Sequence, residues 1–185
     1  GYLVAFRSEV SYQYRIFVQP LDAAGNALLP EPTELDVIDP KYTTSAPAVA
    51  WNGSLYLVTW ANSQGVVGQR IWPDGSKIDP APFVIMAPAF GRPDVSALGD
   101  TFLVVARQFG YTPEIINAVG ARVRGSDAAV LDATPLMLYA WFYTRIVATT
   151  TLGDRWAFST ISNWTHDGSN ADTTLGFVSA DGTVT

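Results

Sequence analysis

Apolar residues in this chain fall in short runs, each ended within a few positions by Gly, Pro, Asn or Asp. The clearest run is Pro47 to Trp60, PAVAWNGSLYLVTW, which divides at Asn52-Gly53 into two pieces of strand length. Gly beside Asn suits a tight hairpin, because a positive φ is costly for a residue with a Cβ. From Leu55 to Trp60 nearly every position is apolar, rather than every second one. A strand packed on both faces produces that pattern. No window keeps a 3.6-residue period, and β-branched and aromatic residues dominate. The pattern predicts an all-β protein.

Weaker copies of the hairpin recur at roughly fifty-residue intervals, the spacing of a repeat array. Aromatic-led strands begin at Tyr2, Tyr56, Phe102 and Trp156. In three copies an earlier strand precedes them, at Pro47 to Asn52, Pro93 to Leu98 and Arg145 to Leu152. Each is followed by a turn containing Gly53, Gly99 or Gly153, next to Asn52, Asp100 or Asp154. A third strand is expected at Arg15 to Val18, Val66 to Ile71, Ala118 to Val123 and Thr174 to Val178, and a fourth at Leu35 to Ile38, Phe83 to Met86 and Leu136 to Leu138. Four strands per unit at this period point to a β-propeller of four-stranded antiparallel blades. The expectation is one domain or segment over residues 1–185, with blade boundaries near 46, 92 and 144. Roughly 3.5 to 4 blades are accounted for. The first strand of the first unit and most of the last strand of the fourth are missing. The chain is therefore expected to be part of a larger propeller, or to pair its open edges with a neighbour in an assembly.

Composition narrows the partners. The 48% hydrophobic and 15% charged residues exclude a disordered chain, and 15 Gly with 12 Pro fit many turns. A net charge of -6 with scattered basic residues argues against nucleic acid. No run approaches the ~18 apolar residues of a membrane span. There is no Cys, so neither disulfides nor thiolate metal sites are available. The chain starts with Gly1 inside an expected strand, which reads as a piece of a processed or longer polypeptide.

The order aromatic-Leu-Val-x-Trp (Tyr56 to Trp60), Gly-x-Arg (Gly68 to Arg70, Gly120 to Arg122), then Pro-Asp-Gly (Pro73 to Gly75) resembles repeats of large secreted bacterial β-propeller proteins. The resemblance covers essentially the whole chain and is specific for the blade. It implies a secreted or cell-surface propeller, of the kind often used for binding or scaffolding.

Short Gly/Asp-rich turns are expected at one end of the blades. Longer loops of variable length are expected at the other, at about Arg7 to Tyr14, Ala61 to Gly65, Gln108 to Asn117 and Ile161 to Thr173. Variable loops on a rigid scaffold are where function usually sits. That end also collects Tyr12, Tyr42, Phe90, Phe109, Tyr111, Trp141, Phe142, Tyr143 and Trp164, and such rings suit stacking on sugars or anchoring a protein. The bland alternative is that they pack on one another beneath the loops.

Other chemistry is sparse. His166 is the single histidine, and no Gly-x-Ser-x-Gly elbow marks a nucleophile. Asp167, Asn170 and Asp172 offer oxygens at calcium-loop spacing, without the terminal Glu such a loop uses. Glu114 is the one acid in its long loop and the candidate for carboxylate chemistry. The leading expectation is a non-enzymatic module without cofactor, binding glycan or protein through the aromatic loop end. The alternatives are a structural unit that self-associates through incomplete edge blades, and a glycosidase-type enzyme.

Overall fold

The computed structural model of the protein describes residues 1–38, 46–109, 116–140, 144–163 and 171–185, and these contain strands and turns but no helix. The first sheet orders β1 (Tyr2–Val10), β2 (Gln13–Leu21) and β3 (Thr33–Ile38). The second orders β4 (Ala48–Trp51), β5 (Tyr56–Asn62), β6 (Gly65–Ile71) and β7 (Phe83–Met86). The third follows with β8 (Phe90–Leu98), β9 (Thr101–Phe109), β10 (Ile116–Arg124) and β11 (Leu136–Tyr139). The fourth has β12 (Thr144–Leu152), β13 (Arg155–Asn163) and β14 (Ala171–Ser179). Every neighbouring pair is antiparallel. The strands β4, β8 and β12 lie innermost and touch in succession.

Local chemistry explains the hairpins. Gly53, Gly99 and Gly153 take φ of 101°, 56° and 61°, where a Cβ is strained. Asn52 Oδ1 accepts from the amides of Ser54 and Leu55, both at 2.9 Å. At the later turns of the four units Asp22, Asp74, Asp127 and Asp181 each accept from the amide two residues on. Each turn is then closed by an equivalent bridge: Leu21 with Ala27, Ile71 with Lys77, Val123 with Val130, and Val178 with Val184. Four Asp-led turns in equivalent places are why the repeat could be read from the chain.

Packing runs between successive sheets. Leu3, Ile16 and Val18 of the first sheet meet Val58, Trp60 and Ile71 of the second. Leu57, Ala61 and Val66 meet Val95, Phe102 and Val104 of the third. Leu103, Val105 and Leu138 meet Trp156, Phe158 and Val178 of the fourth. Successive residues of β5 thus serve opposite neighbours, which accounts for its unbroken apolar run.

Guanidinium clamps join the sheets at the turn end. Arg70 is paired with Asp79 at 2.6 Å and reaches forward to donate to the Gly125 carbonyl of the third sheet at 2.8 Å. Arg122 repeats this, pairing with Asp132 at 2.6 Å and donating to the Ala180 carbonyl of the fourth. The carboxylate partner and its charge-assisted hydrogen bond raise the pKa of Arg122. The Gly-x-Arg motif is therefore a joint between blades.

Three expected loops are shorter than the chain suggested. Arg7 to Tyr14 is largely ladder: Val10 pairs with Gln13, and Ser11 and Tyr12 form the turn at φ of 53° and 63°. Likewise Phe109 pairs with Ile116, and Asn163 with Ala171. Backbone pairing does not stop where side chains become polar, so the ladders outrun the apolar runs.

Candidate functional site at the loop end

The turns segregate to two ends. At one, Asn52 Nδ2 donates to Asp100 Oδ1 at 3.3 Å, and the Asp100 carbonyl accepts from the Gly125 amide at 2.6 Å. Opposite lie the turns at Ser11-Tyr12 and Ser63-Gln64 and the connection from Ala87 to Ala89. This second end is the candidate site.

Of the aromatic residues nominated from the sequence, Tyr12, Phe90 and Phe109 lie among the described residues, Phe90 half-buried at the start of β8 and Phe109 at the end of β9. Tyr12 is 91% exposed on its left-handed turn. Tyr42, Tyr111, Trp141, Phe142, Tyr143 and Trp164 lie outside them, as do Glu114, His166, Asp167 and Asn170. Asp172 is exposed near the start of β14, opposite Ser162. Among the described residues no three His, Asp or Glu side chains converge as a metal site needs.

What the structure does bring together is cationic. A hollow of about 440 Å³ lies between Asn62–Gly65 and Ala87–Phe90, with a cis Ala87-Pro88 bond on its wall. Gln108 Nε2 braces that wall by donating to the Pro88 carbonyl at 2.8 Å. Behind it the Arg107 guanidinium stacks on Phe90, 5.1 Å from the ring centroid. The missing Cβ of Gly91, at φ 79°, leaves the room the guanidinium uses. Burial lowers the pKa of Arg107. A second hollow of about 340 Å³ is lined by Ala5, Phe6, Arg7, Ala46, Pro47 and Arg92. Arg7 stacks on Tyr14 at 4.9 Å, in the strand position that Arg107 holds in the third sheet.

The carboxylates nearby divide by duty. Asp36 accepts from Trp60 Nε1 at 2.7 Å and Asn62 Nδ2 at 3.0 Å, joining the first two sheets. Asp94 accepts from the Thr149 amide at 2.9 Å, joining the third and fourth. The side chain of Glu9, exposed at the loop end of β1, has neither a hydrogen bond nor an ion pair among the described residues. The sequence reading overlooked Arg7 and Arg107. Their signal was an Arg five residues after the strand-leading aromatic in two of four copies.

No family model and no curated protein matches the sequence. Solved structures do match. An exo-1,5-α-L-arabinanase from a bovine ruminal metagenomic library aligns at TM-score 0.56 and 10% identity, over 93% of this chain and 67% of that one. The Cellvibrio cellulosa α-L-arabinanase solved with arabinohexaose aligns at 0.56 and 12%, with the same shares. The endosialidase of phage phi92 aligns at 0.56 and 10%, over 91% of this chain but 34% of its own. The chain has a β-propeller fold. It spans about two thirds of the length of the two arabinanases and a third of the endosialidase. These matches correct the expectation of a non-enzymatic binding or scaffolding module, since the structures sharing the fold over nine-tenths of this chain are named as glycan-cleaving enzymes. The strands and turns behind that expectation specify sheets, and sheets do not decide what their loops do. Among the described residues no helix is long and apolar enough to cross a membrane.

Proposed function

We propose that this chain is the propeller portion of a secreted glycoside hydrolase, with the glycan lying across the loop end. The observation that carries the reading is the four-sheet architecture it shares with the two arabinanases over 93% of its length. Glycosidic cleavage needs two carboxyl groups, one giving a proton to the leaving oxygen and the other acting as nucleophile or base. Such groups must be free of structural duty. Asp36 and Asp94 are engaged in joining sheets. The candidates are Glu9, exposed at the loop end, and Glu114, placed by the chain between β9 and β10. The stacked Arg7 and Arg107 are suited to bind sugar hydroxyl or carboxylate oxygens beside them.

The test is release of reducing ends from arabinan, arabinoxylan, xyloglucan and polysialic acid by the purified chain. Hydrolysis of at least one is expected, with Glu9→Gln and Glu114→Gln each lowering kcat on the order of a hundredfold or more, the scale of acid–base catalysis. No release from any of the four, or full activity in both variants, would overturn the proposal.

A further inference from the structure

Arg15, Arg70, Arg122, Arg124 and Arg155 each pair with a carboxylate. Among the described residues Arg7, Arg92 and Arg107 have no such partner, and of these Arg7 and Arg92 are exposed whereas Arg107 is half-buried. Asp132 raises the pKa of Arg122, chiefly through its side-chain hydrogen bond, while burial lowers that of Arg107. A guanidinium drawn out of water needs a counter-charge, and the described part of the fold supplies none here.

The strands around Arg107 place further unsatisfied groups on the same side. Arg107 alternates along β9 with Leu103 and Val105, which pack against the fourth sheet, so its side chain leaves β9 toward that sheet. Across the interface Thr160 alternates along β13 with Trp156 and Phe158, which pack back on the third. Thr144 stands opposite Ser162, two residues beyond Thr160 and on the same face. The strand β12 lies along β8, fixed by Thr149 to Asp94 at 2.9 Å and to Ser96 at 3.0 Å. Its first residue, Thr144, is thereby carried to the same end as Phe90, the first of β8 and the ring on which Arg107 stacks. Thr144 and Thr160 are fully buried, and among the described residues neither hydroxyl has a hydrogen-bond partner. One unpaired cation and two unpaired hydroxyls thus share the loop end of one interface.

Charge and shape select the ligand. Phe90 covers one face of the guanidinium and leaves its N–H edge, which matches the two oxygens of a carboxylate. One guanidinium with neutral hydroxyls balances the single charge of a carboxylate, not the near-double charge of a phosphate. We propose that the loop end of the interface between the third and fourth sheets is a subsite for the carboxylate of an acidic sugar, with Arg107 as its counter-charge and the Thr144 hydroxyl as a further donor. Resting on the hydrolase reading for the remainder of the substrate, this makes the glycan one that carries uronate or sialate residues.

Methyl galacturonide and N-acetylneuraminate are titrated separately into the whole protein by calorimetry, beside their methyl esters and inorganic phosphate. Saturable binding of one acid is expected, and its identity separates a uronate from a sialate. The ester, or the Arg107→Gln protein, should bind about ten- to a hundredfold more weakly, the factor of a charge-assisted hydrogen bond. Thr144→Val should weaken binding roughly two- to tenfold while the melting temperature holds or rises, because it removes an unpaired buried hydroxyl. No saturation by either acid at millimolar concentration would overturn the subsite. So would esters or phosphate that bind as tightly as the acids, or unchanged affinity in both variants. Reducing-end release from polygalacturonate, polysialic acid and arabinan is followed in parallel. Acid binding without release supports the subsite and counts against the hydrolase alone. Release from arabinan without acid binding overturns the subsite and leaves the hydrolase standing.

Discussion

The first and third sheets are copies of one unit, yet they join their successors by different means. In the third, Arg122 is held by Asp132 and reaches the next sheet's turn. In the first, Pro20 and Leu29 stand at the equivalent places and pack directly under Gly75 of the second sheet. One polar detail survives in the first sheet: Gln19 Nε2 donates to the Leu29 carbonyl at 2.9 Å, as Gln69 does to Asp79 at 2.8 Å in the second. The joint is therefore a shape that either an ion pair or an apolar contact can fill. A buried pair is often replaceable by well-packed apolar groups, while half of one is not.

The largest effect expected separates the two sheets at their leading aromatic. Phe102→Ala should cost about 3–5 kcal/mol in urea denaturation, as for a fully buried ring, whereas Tyr2→Ala should stay within about 0.5 kcal/mol. Equal losses would mean that the first sheet is closed in solution. Next in size is the clamp itself. Asp132→Ala should lose about 1–3 kcal/mol by leaving the guanidinium and the Arg122 amide unpaired. The double change Arg122→Leu with Asp132→Leu should recover much of that loss, since it imitates Pro20 and Leu29. A double variant no better than the single one would show that the ion pair has no apolar substitute here.

The smallest effect concerns the turns. Hydrogen bonds hold the carboxyl pKa of Asp22 below 3.8, chiefly through the Asn26 side chain, and that of Asp74, chiefly through the Ser76 hydroxyl. Asp181 is lowered chiefly by the Thr183 amide. A folded pKa below the unfolded one contributes stability that is present above the unfolded value and lost as pH falls through the folded one. Acid titration followed by carboxyl carbon shifts should show Ser76→Ala returning Asp74 toward 3.8 and leaving Asp22 unmoved. Asn26→Ala should do the reverse.

Much of the fold was legible because its punctuation is chemical. Gly53, Gly99 and Gly153 need a conformation other residues resist, and Asp22, Asp74, Asp127 and Asp181 bond their own backbone, so each turn is written in a few adjacent residues. Strand length was less legible, since Val10 to Gln13 and Asn163 to Ala171 are paired through backbone groups that every residue carries. Gly-x-Arg was visible, but Asp79 and Asp132, its partners across a turn, were not, because their value appears only once the turn is closed. At the loop end, aromatic content directed attention to residues that mostly lie outside the described ones. The described part is organised instead by Arg7, Arg92 and Arg107, and scattered single cations leave little pattern to find.

The clamps also bear on how this protein could change. Arg70 reaches 55 residues ahead and Arg122 reaches 58, yet both end on the same carbonyl of the following turn. One of the three extra residues sits in the clamped turn, where Asp132 follows Arg122 by ten residues and Asp79 follows Arg70 by nine, and the other two are taken up toward the loop end. Segments there can lengthen, shorten or be exchanged without disturbing the joints, which leaves specificity free to drift while the ring keeps its spacing. For an engineer, the loop end is the place to graft, and the Arg and its turn are the fixed frame.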